Sequence, residues 1–323
     1  MIRMSLMGRR LFVTAAVFAA AIGCAITARA TVLVNDTWLD GTRTDPAAPT
    51  YSEFGTDSDL DGDLESVWYN GGGATFAPVG PGGPLRLDST ADMTQQNSFT
   101  TYFAAEATPV TLAVGQTLKV TWVFTPTDVN STDTGQSLKI GIINSPPTGR
   151  ISSDISPPAD AYSGYASFIN MTSANLANAN PFQLRERSTP ALAGSQLSNA
   201  GVWAGLANGA TTGNPGFTSG TQYTYTFEAT RMPADELDIV MRLAGTGLDG
   251  DGLAEVLFTD TTPNGGSFTF DTFAIRSTRA TQTARIFDTS LVRVEVVPEP
   301  ASIVMLGLGG ILSVWWVRRR KAG

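Results

Sequence analysis

The 323-residue chain reads as an all-β protein, an antiparallel β-sandwich, on three observations. Apolar residues alternate with period two through most of the middle of the chain. Turns rich in Gly, Pro, Asn and Asp separate the alternating runs, and no 3.6-residue apolar repeat persists beyond a few turns. With 33 Gly and 18 Pro, long helices are disfavoured in this middle part. Many short strands joined by such turns close into sandwiches or barrels.

Residues 1–30 have the parts of a secretory signal peptide. Arg3, Arg9 and Arg10 make a positive start, Leu11 to Ile22 is uncharged and apolar, and Ala28-Arg29-Ala30 has the form of a cleavage site that leaves Thr31 first. An uncleaved anchor is the alternative, against which the small residues Ala28 and Ala30 argue. Ala21-Ile22-Gly23-Cys24 is a poor lipoprotein box, with Ala and Ile at its first two places. Cys24 is the single cysteine, which excludes internal disulfides and thiolate metal clusters.

The strands come next. Leu118, Val120, Trp122 and Phe124 point one way, and Lys119, Thr121, Val123 and Thr125 the other. Leu138, Ile140 and Ile142 repeat the pattern, as do Tyr223, Tyr225 and Phe227. Leu237, Ile239, Met241 and Leu243 follow, then Ala254, Val256 and Phe258, and finally Val292, Val294 and Val296. The alternate positions are Thr-rich, as suits a sheet with one solvated face. Turn signals stand at 81–84, 146–149, 249–252 and 264–266. Ser173 to Gly220, rich in Ala, Asn, Gly and Ser, reads as surface loops with one short strand at Pro181–Arg187. No linker divides residues 31–297, which read as one sandwich body.

Three constellations within the body invite chemistry. Asp57, Asp59 and Asp61, followed by Gly62, match the first half of a calcium loop, with Asp63 offering its backbone carbonyl and Glu65 at the ninth place. Trp68 stands at the twelfth, where a bidentate acid belongs. Calcium is one reading of this segment, and a solvated acidic loop without cofactor is the other. Trp68-Tyr69-Asn70, before three glycines, reads as a loop whose aromatic faces could stack on a sugar, with Trp203 next; burial in the core is the competing reading. Trp122 lies in an apolar stripe and belongs to the core. Arg185-Glu186-Arg187 reads as a surface ion pair.

The C-terminal end is the most specific. Ala301 to Val317 is an unbroken 17-residue run without a charge, the lower limit for a transmembrane helix. Trp315 and Trp316 sit where an interfacial aromatic belt belongs, and Arg318, Arg319, Arg320 and Lys321 stop that end in the cytoplasm. Just before it stand Val297, Pro298, Glu299 and Pro300. Pro-Glu-Pro, an apolar helix and a basic terminus, in that order over residues 298–323, resemble the PEP-CTERM sorting tail. The resemblance implies an exported bacterial envelope protein. It would be anchored in the inner membrane first, processed near Pro298–Pro300 by an exosortase-type membrane protease, and then displayed at the cell surface or in the matrix. Proteins with such tails are associated with extracellular polysaccharide and biofilm.

The body resembles a concanavalin A-like jelly roll. The features are the opening Val32-Leu33-Val34-Asn35-Asp36-Thr37-Trp38, the run Pro109–Leu118 leading into a long aromatic strand, and a closing strand at Asp288–Val297 that pairs back toward the start. The resemblance implies two antiparallel sheets with a concave face that binds sugars in many relatives. Glucanases of this fold carry Glu-x-Asp-x-x-Glu on one strand. Here Glu236 and Asp238 fill the first two places and Met241 the third, so the proton donor of a two-carboxylate mechanism is missing.

Charge and composition narrow the function. Eight of the 21 Lys and Arg lie at the two ends, so residues 31–300 hold 13 cations against all 29 carboxylates, a net charge of −16. Such a body is repelled by phosphate backbones, which excludes nucleic acid as a partner. The absence of histidine excludes histidine triads and histidine metal sites. The expectation is a non-catalytic envelope protein contacting extracellular polysaccharide or matrix. A glycan-degrading enzyme of the jelly-roll class and a purely structural surface protein are the alternatives.

Overall fold

A computed structural model describes residues 29–46, 51–90, 96–146, 149–154, 161–172, 175–187, 196–197, 200–263, 268–278 and 283–299. Residues Thr31–Val297 form one compact unit. Its strands are β1 (Thr31–Asp36), β2 (Trp68–Asn70), β3 (Thr75–Pro78), β4 (Leu85–Asp88), β5 (Gln96–Tyr102), β6 (Val110–Thr111), β7 (Thr117–Val129), β8 (Leu138–Asn144) and β9 (Ser163–Ile169). They continue with β10 (Phe182–Arg187), β11 (Trp203–Asn208), β12 (Tyr223–Met232), β13 (Glu236–Ala244), β14 (Leu253–Asp260), β15 (Thr269–Phe270), β16 (Thr272–Thr278) and β17 (Ala284–Val297). The helical structure among the described residues is three single 3₁₀ turns.

The strands make two antiparallel sheets. The first runs β14-β13-β12-β7-β17-β4-β3, with β1 also on β17; the second runs β11-β10-β9-β8-β16-β5-β2. A short ribbon joins β15 to β6. The spine of the first sheet is the pair of longest strands, β7 and β17, in register from Thr117↔Val297 to Val129↔Ala284 with one irregularity between Thr289 and Leu291. One half of β17 pairs on its other edge with β4 and the other half with β1, so the closing strand meets the opening one.

Alternation on β7, β12 and β13 sends every second residue into the space between the sheets. Trp122, Phe124, Tyr225, Phe227, Ile239, Met241 and Leu243 meet Phe99, Ile140, Ile142, Tyr165, Leu184, Phe273 and Ile275 there. Each such side chain contributes about 1.5–3 kcal/mol by leaving water. Trp122 is fully buried, stacks on Phe124 with ring centroids 3.8 Å apart, and donates its indole N–H to Thr289 Oγ1 at 3.0 Å.

The second sheet departs from the expected single solvated face. Its strand β8 is buried from Leu138 to Ile143 on both faces. A second apolar cluster covers the outer side: Ile143, Ala166, Phe168, Leu197, Val202, Trp203 and Ala274. The segment expected to be surface loops supplies this cover. It holds the predicted strand, β10, and a further edge strand, β11, while Gln196 and Leu197 are buried. The many Ala and Gly residues hide this from a periodicity reading, because small side chains carry little pattern.

Candidate functional site

The connection from β1 to β2 gathers nine carboxylates between Asp36 and Glu65. Within it the Asp-x-Asp-x-Asp-Gly segment folds back on its own amides. Asp57 accepts from Leu60 N–H at 2.6 Å and Gly62 N–H at 3.1 Å, Asp59 from Asp61 N–H at 3.3 Å, and Asp61 from Asp63 N–H at 3.1 Å. Gly62, at φ +108°, takes a bend that an L side chain resists. Glu53 reaches in from outside and accepts from the Ser58 N–H and Oγ–H and from Glu65 N–H.

The five acids expected to form one calcium loop do not share one centre. Asp57 and Asp59 gather with Glu53, Asp59 also with Asp45 and Glu65, and Asp61 with Asp40 and Glu65; in each group one oxygen per residue lies within 4.8 Å of the others. Asp63, expected to offer its backbone carbonyl, turns its side chain inward instead. Its Oδ2 accepts from Thr37 N–H at 2.9 Å and Thr37 Oγ1–H at 3.0 Å. Its Oδ1 has no donor, and neither has the buried Oδ2 of Asp61. The segment is solvated only in its first part, where Ser58, Asp59, Leu60 and Gly62 are exposed, whereas Asp63 and Glu65 are each only 3 % exposed. The contributions of Asp40, Asp45 and Glu53 escape a motif search because they come from outside the repeat. The density of acids from 36 to 65 is the signal that points to them.

Electrostatics follow from this crowding. Burial, with Asp40, Asp63, Asp36 and Asp61 close by, pushes the Glu65 carboxyl up to about 9. Burial and the neighbouring Asp63 raise Asp36 well above the ordinary carboxylate range, although it accepts from Trp38 N–H and Trp68 Nε1–H. Burial also raises Asp61, with the Asp63 carboxyl adding to it.

The aromatic candidates lie elsewhere than expected. Trp68-Tyr69-Asn70 is not a loop but the edge strand β2, and all three residues are buried. Trp68 packs among Trp38, Phe76 and Phe273. Trp203 is also buried, against Phe168 and beneath the Arg187 guanidinium. None of these rings offers an open face, because β2 and β11 are strands whose side chains fill the layers beside them. The Arg185-Glu186-Arg187 segment is likewise no surface ion pair. Glu186 and Arg187 are buried on opposite sides of β10, and Arg185 donates to Gln183 and Gln136.

An open cleft of about 360 Å³ lies beside β2, lined among the described residues by Arg43, Thr44, Pro46, Val67, Trp68, Tyr69, Ser152, Ser153 and Asp154. Arg43 ties its walls together. It donates to the Phe76 and Trp68 carbonyls at 2.8 and 2.6 Å and pairs with Asp154 at 2.5 Å. Burial works to raise the Asp154 carboxyl, but the Arg43 guanidinium and the Asn70 N–H outweigh it and hold it below its ordinary value.

On β13, Glu236 and Asp238 face outward and Met241 faces the core, where Ser167 Oγ lies 2.6 Å from its sulfur. Ala30 and Val297, Pro298 and Glu299 are described. Ala28, Pro300, the apolar run 301–317 and Arg318–Lys321 lie outside the described residues. Among the described residues no helix is long and apolar enough to cross a membrane.

Comparison with known proteins yields one family match. Residues 296–321 match the PEP-CTERM protein-sorting motif, so the chain carries that motif. No curated protein matches the chain. Among solved structures it is similar to the VIP36 exoplasmic/lumenal domain in a Ca2+/Man2-bound form, at 11 % identity and TM-score 0.42 over 76 % of this chain and 84 % of that one. It is also similar to the Emp47p carbohydrate recognition domain, at 11 % identity and TM-score 0.39 over 72 % and 88 %. A third is lectin I-B4 from Griffonia simplicifolia, at 9 % identity and TM-score 0.39 over 72 % and 92 %.

Proposed function

We propose that the chain is a non-catalytic protein of the cell envelope, exported, sorted through its C-terminal tail and processed there by an exosortase-type protease, whose sandwich body contacts extracellular polysaccharide. The observation that carries this reading is the sorting motif at 296–321, which implies secretion and envelope sorting. The signal peptide read at 1–30 and the span read at 301–317 agree with it. Polysaccharide contact is supported by the cleft beside β2, which is open, rich in hydroxyls and bounded by a fixed cation–carboxylate pair. Absence of catalysis is supported by β13, where Met241 stands in place of the third acid and points away from Glu236 and Asp238.

Two measurements test the reading. With Pro298, Glu299 and Pro300 replaced by Ala, cells should retain a longer, membrane-bound form; an intact Arg318–Lys321 end on the released wild-type protein, seen by mass spectrometry, refutes the sorting step. The purified full-length protein should retain matrix polysaccharide on a glycan array or in a pull-down. Asp154→Ala should weaken that retention about tenfold by unpairing Arg43, on the scale of losing one charged contact. Retention indifferent to Asp154 removes the cleft from the proposal.

A further inference from the structure

We infer that Asp40, Asp61 and Glu65 hold a divalent cation of the calcium class between two segments of the β1–β2 connection. Two observations meet here. One oxygen each of Asp40, Asp61 and Glu65 converges within 4.8 Å. Independently, Glu65 of this group is 3 % exposed and its carboxylate accepts from no donor among the described residues, and the Asp61 Oδ2 is sealed off without one. A buried carboxylate oxygen facing a second one, with no proton donor for either, is the arrangement a bound cation resolves. The ion pairs of the described residues include none of these three acids.

The neighbouring group of Glu53, Asp57 and Asp59 has less to gain from an ion. Its carboxylates already accept backbone amides. The donor set at the inferred centre is oxygen only, from short and long carboxylates on separate chain segments. Calcium, with six to eight ligands and loose geometry, suits it better than magnesium, which demands a tight octahedron, or zinc, which favours nitrogen and sulfur. The ion would fix Asp40 to the 61–65 segment. Arg43, Thr44 and Pro46, the next residues along, line the cleft, so the centre braces one of its walls.

The test uses the full-length protein, stripped with EGTA and titrated with Ca2+ alone by calorimetry and thermal unfolding. The expected result is saturable binding with Kd in the range of about 10⁻⁴–10⁻³ M, as in extracellular calcium modules, and a melting temperature several degrees higher at saturation. Asp61→Asn and Glu65→Gln should each weaken binding about tenfold or more. No saturable binding up to about 10 mM Ca2+ overturns the inference. So does affinity that follows Asp57→Asn but ignores Asp61→Asn and Glu65→Gln. The titration involves no sugar, so its failure leaves the sorting and polysaccharide reading standing.

Discussion

Lys139→Met should stabilise the protein at neutral pH. Lys139 sits on the outer face of β8, 6 % exposed, with Nζ 3.0 Å from the Leu197 carbonyl and 4.7 Å from the Phe168 ring centroid. Arg276 of β16 is its register partner, and Arg185 of β10 approaches from the other side. Burial, then these two guanidiniums, lower its pKa from 10.5 to about 8. At about 1.4 kcal/mol per tenfold change, keeping the ammonium charged costs the folded state about 3 kcal/mol below pH 8. Methionine removes that cost but forfeits a hydrogen bond and a cation–π contact, each about 1 kcal/mol, so a net gain of about 1 kcal/mol remains at pH 7. The pH profile is the sharper readout. The unfolded lysine holds its proton up to pH 10.5 while the folded one releases it near 8, so wild-type stability rises with pH between those values. The variant lacks this rise, and its advantage should vanish by pH 10. Urea unfolding of both proteins at pH 7, 8.5 and 10 measures the difference. A gap that stays constant across this range would refute the buried-ammonium account.

Three further outcomes are expected. Asp271→Ala should cost about 3–5 kcal/mol in urea unfolding, because it strands Arg150, whose guanidinium pairs with Asp271 at 2.7 Å in a buried site; a loss under about 1 kcal/mol would mean water or another acid reaches Arg150. Gly209→Ala should cost about 3 kcal/mol, since a Cβ there meets the Glu255 carbonyl oxygen at 2.1 Å where β14 of the first sheet approaches the edge of the second; a neutral result would show that this seam can open. The purified protein should release no reducing ends from β-glucan, with or without Glu236→Gln; release that disappears in the variant would establish the enzyme reading.

The first sheet was legible because its strands have one wet face. On β7, β12 and β13 buried apolar residues alternate with outward positions that are mostly Thr, Lys, Asp, Glu or Arg, and the period shows in the letters. The second sheet was largely hidden. On β8 both faces are covered, and Leu138-Lys139-Ile140-Gly141-Ile142-Ile143 has lost the alternation a half-solvated strand keeps. Trp68-Tyr69-Asn70 looked like a loop because glycines follow it, yet three residues are enough to pair Trp68↔Thr101 and Tyr69↔Thr100 with β5. In the acidic connection the repeat Asp57–Asp63 was visible, but its partners Asp40 and Asp45 were not. Their convergence depends on the fold of the intervening chain, which no spacing rule contains.

The burial pattern also bears on where a ligand can meet this body. The outer face of the second sheet carries Lys139, Arg185, Arg187 and Arg276. That is a cationic surface in an otherwise acidic chain. Leu197 and Trp203 lie over it, however, with the Leu197 and Gln196 carbonyls accepting from Lys139 and Arg187, and Lys139, Arg187 and Arg276 are all less than a tenth exposed. A polysaccharide cannot reach those charges without displacing that cover, and displacing it would expose Trp203, Phe168 and Leu197 together, at about 1.5–3 kcal/mol per side chain. The β1–β2 connection involves no such cost. Its cleft is already open, its walls are held by Arg43, and the acidic centre lies a few residues along the chain from Arg43. On the proposed reading, polysaccharide contact therefore belongs to the loops at β2 rather than to the outer face of the second sheet.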